Sequence, residues 1–298
     1  MKKDLITLSD ISQEEVLALF EKAKLLKEKR NQGIPHKSLE GKSLGMIFSK
    51  ESTRTRISFE VGMYELGGQA IFLSSDQLQI KRDETAADSA KVLSRYLHGV
   101  LIRTHEHEFL EEFAKHATIP VINGLTDLNH PVQILTDIFT IQEKLNQIEG
   151  IKVAYIGDGN NVAYSWVLGA HLMGMQLNVA SPASLKLEMP KILNNSRNIE
   201  LLEDPQKAVE GADVIYTDVW VSMGDKDGDE KKKLLKNYQI NQELLKRAKP
   251  NALVMHCLPA HRDEEISSDV FDGPQSIVFD QAENRLHVQK AILDTLLK

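Results

Sequence analysis

Short runs of β-branched and aliphatic residues alternate along this chain with longer stretches in which apolar residues recur every three or four positions. That alternation predicts parallel α/β architecture. Ser12 and Glu15 form a capping box ahead of a helix that carries Val16, Leu19, Phe20 and Ala23 on one face. A strand predicted from Leu44 to Phe48 runs into Ser49–Thr55, and the helix that follows passes Phe59, Val61 and Tyr64 before Gly67-Gly68 stops it. Further strands are predicted at Ala70–Leu73, Val100–Ile102 and Val121–Ile122, then a helix from Pro131 to about Asn146. Gly150 breaks the pattern and opens a second series, with strands at Lys152–Ile156, Leu177–Ala180, Val214–Thr217 and Leu253–His256. The expectation is an α/β protein of two domains, 1–147 and 148–298, each a parallel sheet flanked by helices. The last helix, from about Ala282 to Leu297, is expected to return to the first domain. The charged stretch Asp225–Lys236 reads as a solvated loop. Open α/β sheets bind ligands at the carboxyl ends of their strands, which predicts an active-site cleft between the two domains.

Composition narrows the functional classes. The 298 residues suit two domains of roughly 150 residues each. Lys and Arg number 36 against 43 Asp and Glu, a net charge of −7, which argues against a nucleic-acid partner but leaves room for a local anion pocket. The single cysteine, Cys257, excludes an intrachain disulfide and any CxxC zinc site. No apolar stretch reaches the roughly 18 residues of a membrane span, and the Met1-Lys2-Lys3-Asp4 start lacks the apolar core of a signal peptide. A cytoplasmic enzyme with no membrane partner is therefore expected.

Three motifs carry chemistry, each just after a predicted strand. In Ser52-Thr53-Arg54-Thr55-Arg56, hydroxyls, helix N-terminal amides and a guanidinium converge on an anion-sized spot. The GxxxxGK[ST] pattern is absent, so the anion need not be a nucleotide. Arg54 is assigned to the ligand and Arg56 to a structural ion pair; an ordinary helix cap is the alternative. In His130-Pro131-Val132-Gln133 the proline suits a first helical turn, which places His130 at a helix entrance and Gln133 one turn in. His130 there can donate to a developing oxyanion, with a pKa lowered by the helix dipole, or can be a structural cap. Arg103, at the end of its strand, is a third anion donor or else an ion-pair partner. In His256-Cys257-Leu258-Pro259, the proline is expected to hold Leu258 extended, with carbonyls available to an NH2 group. Cys257 is read as a nucleophile or, more commonly for such a residue, as an unreactive thiol.

With these motifs in view, the chain resembles the aspartate/ornithine carbamoyltransferase family, and within it the ornithine type. Ser-x-Arg-Thr-Arg and His-Pro-x-Gln are common to the family, while His256-Cys257-Leu258-Pro259 and Asp218-Val219-Trp220-Val221-Ser222-Met223-Gly224 are features of the ornithine type. Asn160-Asn161 and Glu283-Asn284-Arg285 also match, in order, across nearly the whole chain. The resemblance implies a carbamoyl-phosphate-binding domain followed by an ornithine-binding domain. Carbamoyl phosphate would be bound by Ser52, Thr53, Arg54, Thr55, Arg103, His130, Pro131, Val132, Gln133, Cys257, Leu258 and Arg285. Asn161, Asp218, Ser222 and Met223 would bind ornithine, and Arg103, His130, Asp218 and Cys257 would be the catalytic set. Family members are homotrimers in which a loop glutamine enters the neighbouring subunit's site. Gln79 stands at that place, although Lys81 replaces a glycine usual in the family.

The implied reaction yields citrulline and phosphate, within arginine metabolism. Carbamoyl phosphate is already activated, so no metal or organic cofactor is expected. Other readings are weaker. Gly157-Asp158-Gly159 begins a dinucleotide-binding GxGxxG, but Val162 stands at its last position. His105-Glu106-His107 lacks a third metal ligand at suitable spacing. Putrescine or N-acetylornithine as acceptor, and a non-catalytic carbamoyl-phosphate sensor, are the alternatives that share the motifs.

Overall fold

The computed structural model describes residues 4–49, 52–74, 84–190, 193, 196–221 and 228–298. The chain divides into two compact units, 1–139 with 283–298, and 140–282.

The first unit contains α1 (Gln13–Asn31), β1 (Ser43–Phe48), α2 (Thr53–Glu65), β2 (Gln69–Ser74), α3 (Ala86–Leu93), β3 (Gly99–Arg103), α4 (His107–His116), β4 (Val121–Leu125) and most of α5 (Pro131–Leu145). Its sheet has the order β2-β1-β3-β4 with every pairing parallel. β3 is buried along its length and β1 nearly so, as a parallel sheet covered by helices requires, whereas edge strand β2 is partly exposed. The core cluster is built from Ile47, Val100 and Ile102 of the strands with Ala90, Leu110 and Phe113 of α3 and α4. The capping box of α1 forms as expected: the Ser12 hydroxyl accepts from the Glu15 N–H and the Glu15 carboxylate accepts from the Ser12 N–H.

The second unit contains β5 (Lys152–Ile156), α6 (Asn161–Leu172), β6 (Gln176–Ala180), β7 (Ile199–Leu202), α7 (Pro205–Val209), β8 (Val214–Thr217), α8 (Gly228–Leu235), α9 (Gln242–Leu245), β9 (Leu253–His256), α10 (Ser268–Phe271) and the start of α11 (Val278–Leu296). Its sheet has the order β7-β6-β5-β8-β9, again wholly parallel. On one face Ile156, Ile215 and Val254 pack with Val209, Leu245 and Val270. Tyr155 stacks on Tyr216 at 5.8 Å between ring centroids, and Trp166 meets Tyr216 edge-on at 5.2 Å.

Three elements differ from expectation. The edge strand β7 is not evident in the sequence, because four residues, none of them buried, behind a polar stretch carry little alternation. Gly228–Leu235, within the stretch read as a solvated loop, is helical: Leu235 is buried in the core and Lys231 pairs with Asp158 at 2.7 Å. α11 begins at Val278, about a turn earlier than predicted, and its residues from Glu283 onward belong to the first unit.

Each sheet reverses its strand order once. From β1 the chain steps outward to β2 and then crosses back to β3; from β5 it steps through β6 to β7 and crosses back to β8. At such a reversal adjacent loops leave the sheet in opposite directions, and ligands bind outside the carboxyl ends there.

Candidate functional site

In the first unit, β1 leads toward Ser52, the N-cap of α2, whose hydroxyl accepts from the Thr55 N–H at 3.3 Å. Thr53 is exposed, Arg54 partly so, and Thr55 turns inward and is buried. Arg56 points away: its guanidinium pairs with Glu60 at 2.9 Å and lies 3.9 Å over the Phe72 ring, so it is a structural residue. Across the reversal, Phe48 at the end of β1 is in register with Arg103 at the end of β3. The register with β4 slips between Ile102 and Arg103, a local irregularity of the kind that re-aims a side chain at a strand end.

Thr55, Gln133 and Arg285 are brought together from positions far apart in sequence. The Arg285 guanidinium donates to the Thr55 hydroxyl at 2.8 Å and to the Gln133 carbonyl oxygen. Gln133 in turn donates to Asp137 at 2.8 Å, one turn further along α5. His130 is the residue before Pro131 at the entrance to α5, and its carbonyl accepts the Gln133 N–H. Pro131 and Val132 are buried as part of the helix's first turn. The His130 imidazole has a pKa well below the usual histidine value, first because it is buried and then because the Arg285 and Arg103 guanidiniums repel a further positive charge. The helix dipole invoked from sequence is not the leading cause. The ring is thus a neutral hydrogen-bonding group beside two fixed cations, an environment suited to an anion or an oxyanion.

In the second unit the reversal between β5 and β8 holds a carboxylate. Asp218, 8% exposed, follows β8 directly. Its Oδ1 accepts from the Cys257 thiol at 2.9 Å and from the Val219 N–H at 2.8 Å, and its Oδ2 accepts from the Asn160 amide at 3.0 Å. Asn160 also caps α6, its carbonyl accepting from the Val162 and Ala163 N–H groups, and it accepts from the Tyr155 hydroxyl at 3.1 Å. Burial and the neighbouring acidic groups, Asp218 first among them, push the Tyr155 hydroxyl pKa well above the ordinary value, so it stays a donor. Asn161 begins α6, beside this network. Gly159 permits the loop: a Cβ there would lie 2.4 Å from the Leu187 nitrogen, and the glycine N–H donates to the Leu185 carbonyl at 3.0 Å.

Cys257 follows β9 and is half-buried. Leu258 is not extended as the following proline led us to expect; its φ is +60°, in the left-handed region. The cause is local. The Leu258 N–H donates to Nδ1 of buried His256 at 2.9 Å, which turns the chain sharply.

Gln79, Ser222 and Met223 lie outside the described residues. Sequence reasoning overlooked Asp137, which was legible as the residue four after Gln133, and Tyr155, which no spacing signals. Among the described residues, Asp218, His256 and Cys257 bring ligand-type atoms within 4.8 Å of one another. Both His256 nitrogens are already engaged there, by Glu265 and Leu258, and the thiol by Asp218. His105 and His107 bind Asp127 and Thr126 respectively, at 3.2 and 2.9 Å. No helix among the described residues is long and apolar enough to cross a membrane.

Two family models match the chain in sequence order. Residues 3–143 match the carbamoyl-P binding domain of aspartate/ornithine carbamoyltransferase, and residues 149–296 match its Asp/Orn binding domain. The chain is 53% identical over 302 residues to the ornithine carbamoyltransferase of Syntrophus aciditrophicus, covering all of both chains. It is 50% identical over 299 residues to the anabolic ornithine carbamoyltransferase of Pyrococcus furiosus, covering 98% of this chain and 95% of that one. Among solved structures, the ornithine carbamoyltransferase from Pyrococcus furiosus aligns with a TM-score of 0.92 at 49% identity, over 97% of this chain and 95% of the other. That from Thermus thermophilus gives 0.92 at 41% identity over the whole of both. Matched over residues 3–143 and 149–296 by the two domain models, the chain belongs to the aspartate/ornithine carbamoyltransferase family.

Proposed function

We propose that this protein transfers the carbamoyl group of carbamoyl phosphate to the δ-amine of L-ornithine, giving L-citrulline and phosphate. The observation that carries this reading is Asp218, a carboxylate held by three donors at the strand reversal of the second unit. A fixed carboxylate attracts an amine or ammonium and opposes an acidic acceptor such as aspartate. The first unit offers the opposite chemistry, two guanidiniums beside a neutral imidazole.

The reaction follows from these groups. Arg54, the Ser52 and Thr53 hydroxyls and the amides at the start of α2 hold the phosphate. Gln133, Arg285, Cys257 and the Leu258 carbonyl hold the carbamoyl end, with Pro131 and Val132 shaping the turn that presents His130. Asp218 orients the δ-amine, and Asn161, Ser222 and Met223 bind the rest of ornithine. The neutral amine attacks the carbonyl carbon, a C–N bond forms, and the carbonyl oxygen becomes an oxyanion stabilised by Arg103, Thr55 and His130. Because His130 is neutral, it contributes an N–H dipole while Arg103 contributes the charge. The C–O bond to phosphate then breaks, and the amine proton leaves with the phosphate. In the same reading the enzyme is a cytoplasmic homotrimer whose Gln79 serves a neighbouring subunit. A thiol that must donate to Asp218 has to stay reduced, which favours a reducing compartment.

Purified protein given carbamoyl phosphate with ornithine, putrescine, N-acetylornithine or aspartate tests the proposal. Citrulline and phosphate should form, with the highest kcat/KM for ornithine. A faster reaction with putrescine or N-acetylornithine would move the acceptor assignment. Binding of carbamoyl phosphate with no product from any of the four would identify a non-catalytic relative.

A further inference from the structure

We propose that Glu265 is a positioning residue for ornithine use: through His256 it sets the Cys257–Leu258 turn that bears on Asp218. The inference rests on the reading of Asp218 as the group that orients the amine. Glu265 and His256 are both 0% exposed, and neither contacts a substrate in that reading. The hydrogen bonds to the Glu265 carboxylate all gather on one oxygen; the other, Oε2, has no hydrogen bond among the described residues and lies 3.7 Å from the His261 imidazole. The bonded oxygen, Oε1, accepts from His256 Nε2 at 3.0 Å and from the His261 backbone N–H at 2.5 Å. The segment that carries it is fixed in turn, since the Ile240 N–H donates to the Glu265 carbonyl and the Ser267 N–H to the Ile240 carbonyl, each at 2.9 Å.

The imidazole relays that position. Nδ1 accepts the Leu258 N–H, so it bears no proton; the ring proton is on Nε2 and points at Glu265. Leu258 at φ +60° occupies a conformation costly for a residue with a side chain, which persists only where the surroundings hold it. The hydrogen bond to His256 is what holds its N–H. The residue between them, Cys257, donates its thiol to Asp218 Oδ1, the oxygen that also accepts the Val219 N–H. Removing the Glu265 acceptor frees the ring to rotate, releases the Leu258 N–H, and lets the thiol leave Asp218. The carboxylate then loses one of its three anchors. A displacement of about 1 Å in such a group costs up to ~10²-fold in rate.

Cys257 is the only cysteine in the chain, so its alkylation rate by iodoacetamide reports the turn without reference to catalysis. Glu265→Leu removes the acceptor and Glu265→Gln keeps it. In Glu265→Leu we expect Cys257 alkylation to change at least about 5-fold and kcat/KM for ornithine to fall about 10-fold or more. Glu265→Gln should restore both towards wild type. Glu265→Asp, which withdraws the acceptor by one methylene, is read the same way if the leucine variant does not fold. A folded Leu or Asp variant with wild-type alkylation and ornithine kinetics overturns the proposal, as does a Gln variant as impaired as either. Failure of the wild-type enzyme to make citrulline would sink the functional reading alone, because the alkylation rates stand apart from it.

Discussion

In the proposed reaction Arg54 and Asp218 divide the chemistry between phosphate and amine, and that division can be tested residue by residue. Arg54→Ala removes a charge-assisted contact to phosphate and should lower turnover ~10²-fold or more. Asp218→Asn keeps the shape and most hydrogen bonds but removes the charge; it should raise KM for ornithine and leave carbamoyl phosphate binding within about 2-fold. Equal loss of carbamoyl phosphate affinity in both variants, read by calorimetry, would mean the roles are wrongly divided. The pH profile tests His130. Its pKa lies well below the ordinary histidine value, so it stays neutral across the working range. The δ-amine of ornithine resembles lysine, with a pKa of about 10.4, and its neutral fraction rises about tenfold per pH unit. The logarithm of kcat/KM for ornithine should therefore climb with a slope near +1 from about pH 6 to pH 8. An inflection near pH 6.5 that vanishes in His130→Gln would show the imidazole titrating where burial should forbid it. Sequence placed His130 at a helix entrance but assigned its pKa to the dipole. The stronger causes are burial and two guanidiniums, one of them 155 residues away on α11. Long-range placement of that kind leaves no local pattern.

The elements show the same division between legible and hidden. Strands β5, β8 and β9 were legible to the residue because each is a short β-branched or aliphatic run between turn signals. β7 was hidden because an edge strand needs neither length nor alternation once β6 offers it a ladder. α8 was hidden because its charges suggested solvent, whereas only one side of it is solvated: Leu235 is buried and Lys231 reaches Asp158. The β5–α6 turn was legible as glycine-rich, but its reason was not a nucleotide phosphate. Gly159 sits where a Cβ would meet the backbone of Leu185 and Leu187, atoms that cannot swing aside as a side chain could. Gly159→Ala should therefore destabilise the protein by about 1–3 kcal/mol, seen as a lower denaturation midpoint. It should also weaken ornithine use, because Asn160 is the next residue and holds Asp218. An unchanged midpoint would show that the two loops separate at no cost.

For the whole molecule, the expectation of shared sites turns on Gln79 and Arg54 acting from different subunits. Arg54→Ala and Gln79→Ala trimers should each be nearly inactive. Dissociated, mixed in equal amounts and reassembled, they should regain about a quarter of wild-type activity, the fraction of sites that draw both residues intact under random mixing. Hybrids proven by native mass spectrometry but lacking activity would place both residues in one subunit's site, or Gln79 outside it. In the proposed reaction a carbamoyl group passes to the δ-nitrogen of ornithine. The most direct measurement follows that bond by NMR, using 13C-labelled carbamoyl phosphate and ornithine labelled with 15N at the δ position. Citrulline whose carbonyl carbon is split by the δ-nitrogen should accumulate mole for mole with phosphate, and only when enzyme is present. Label released without a 13C–15N bond, or found on the α-nitrogen, would contradict it.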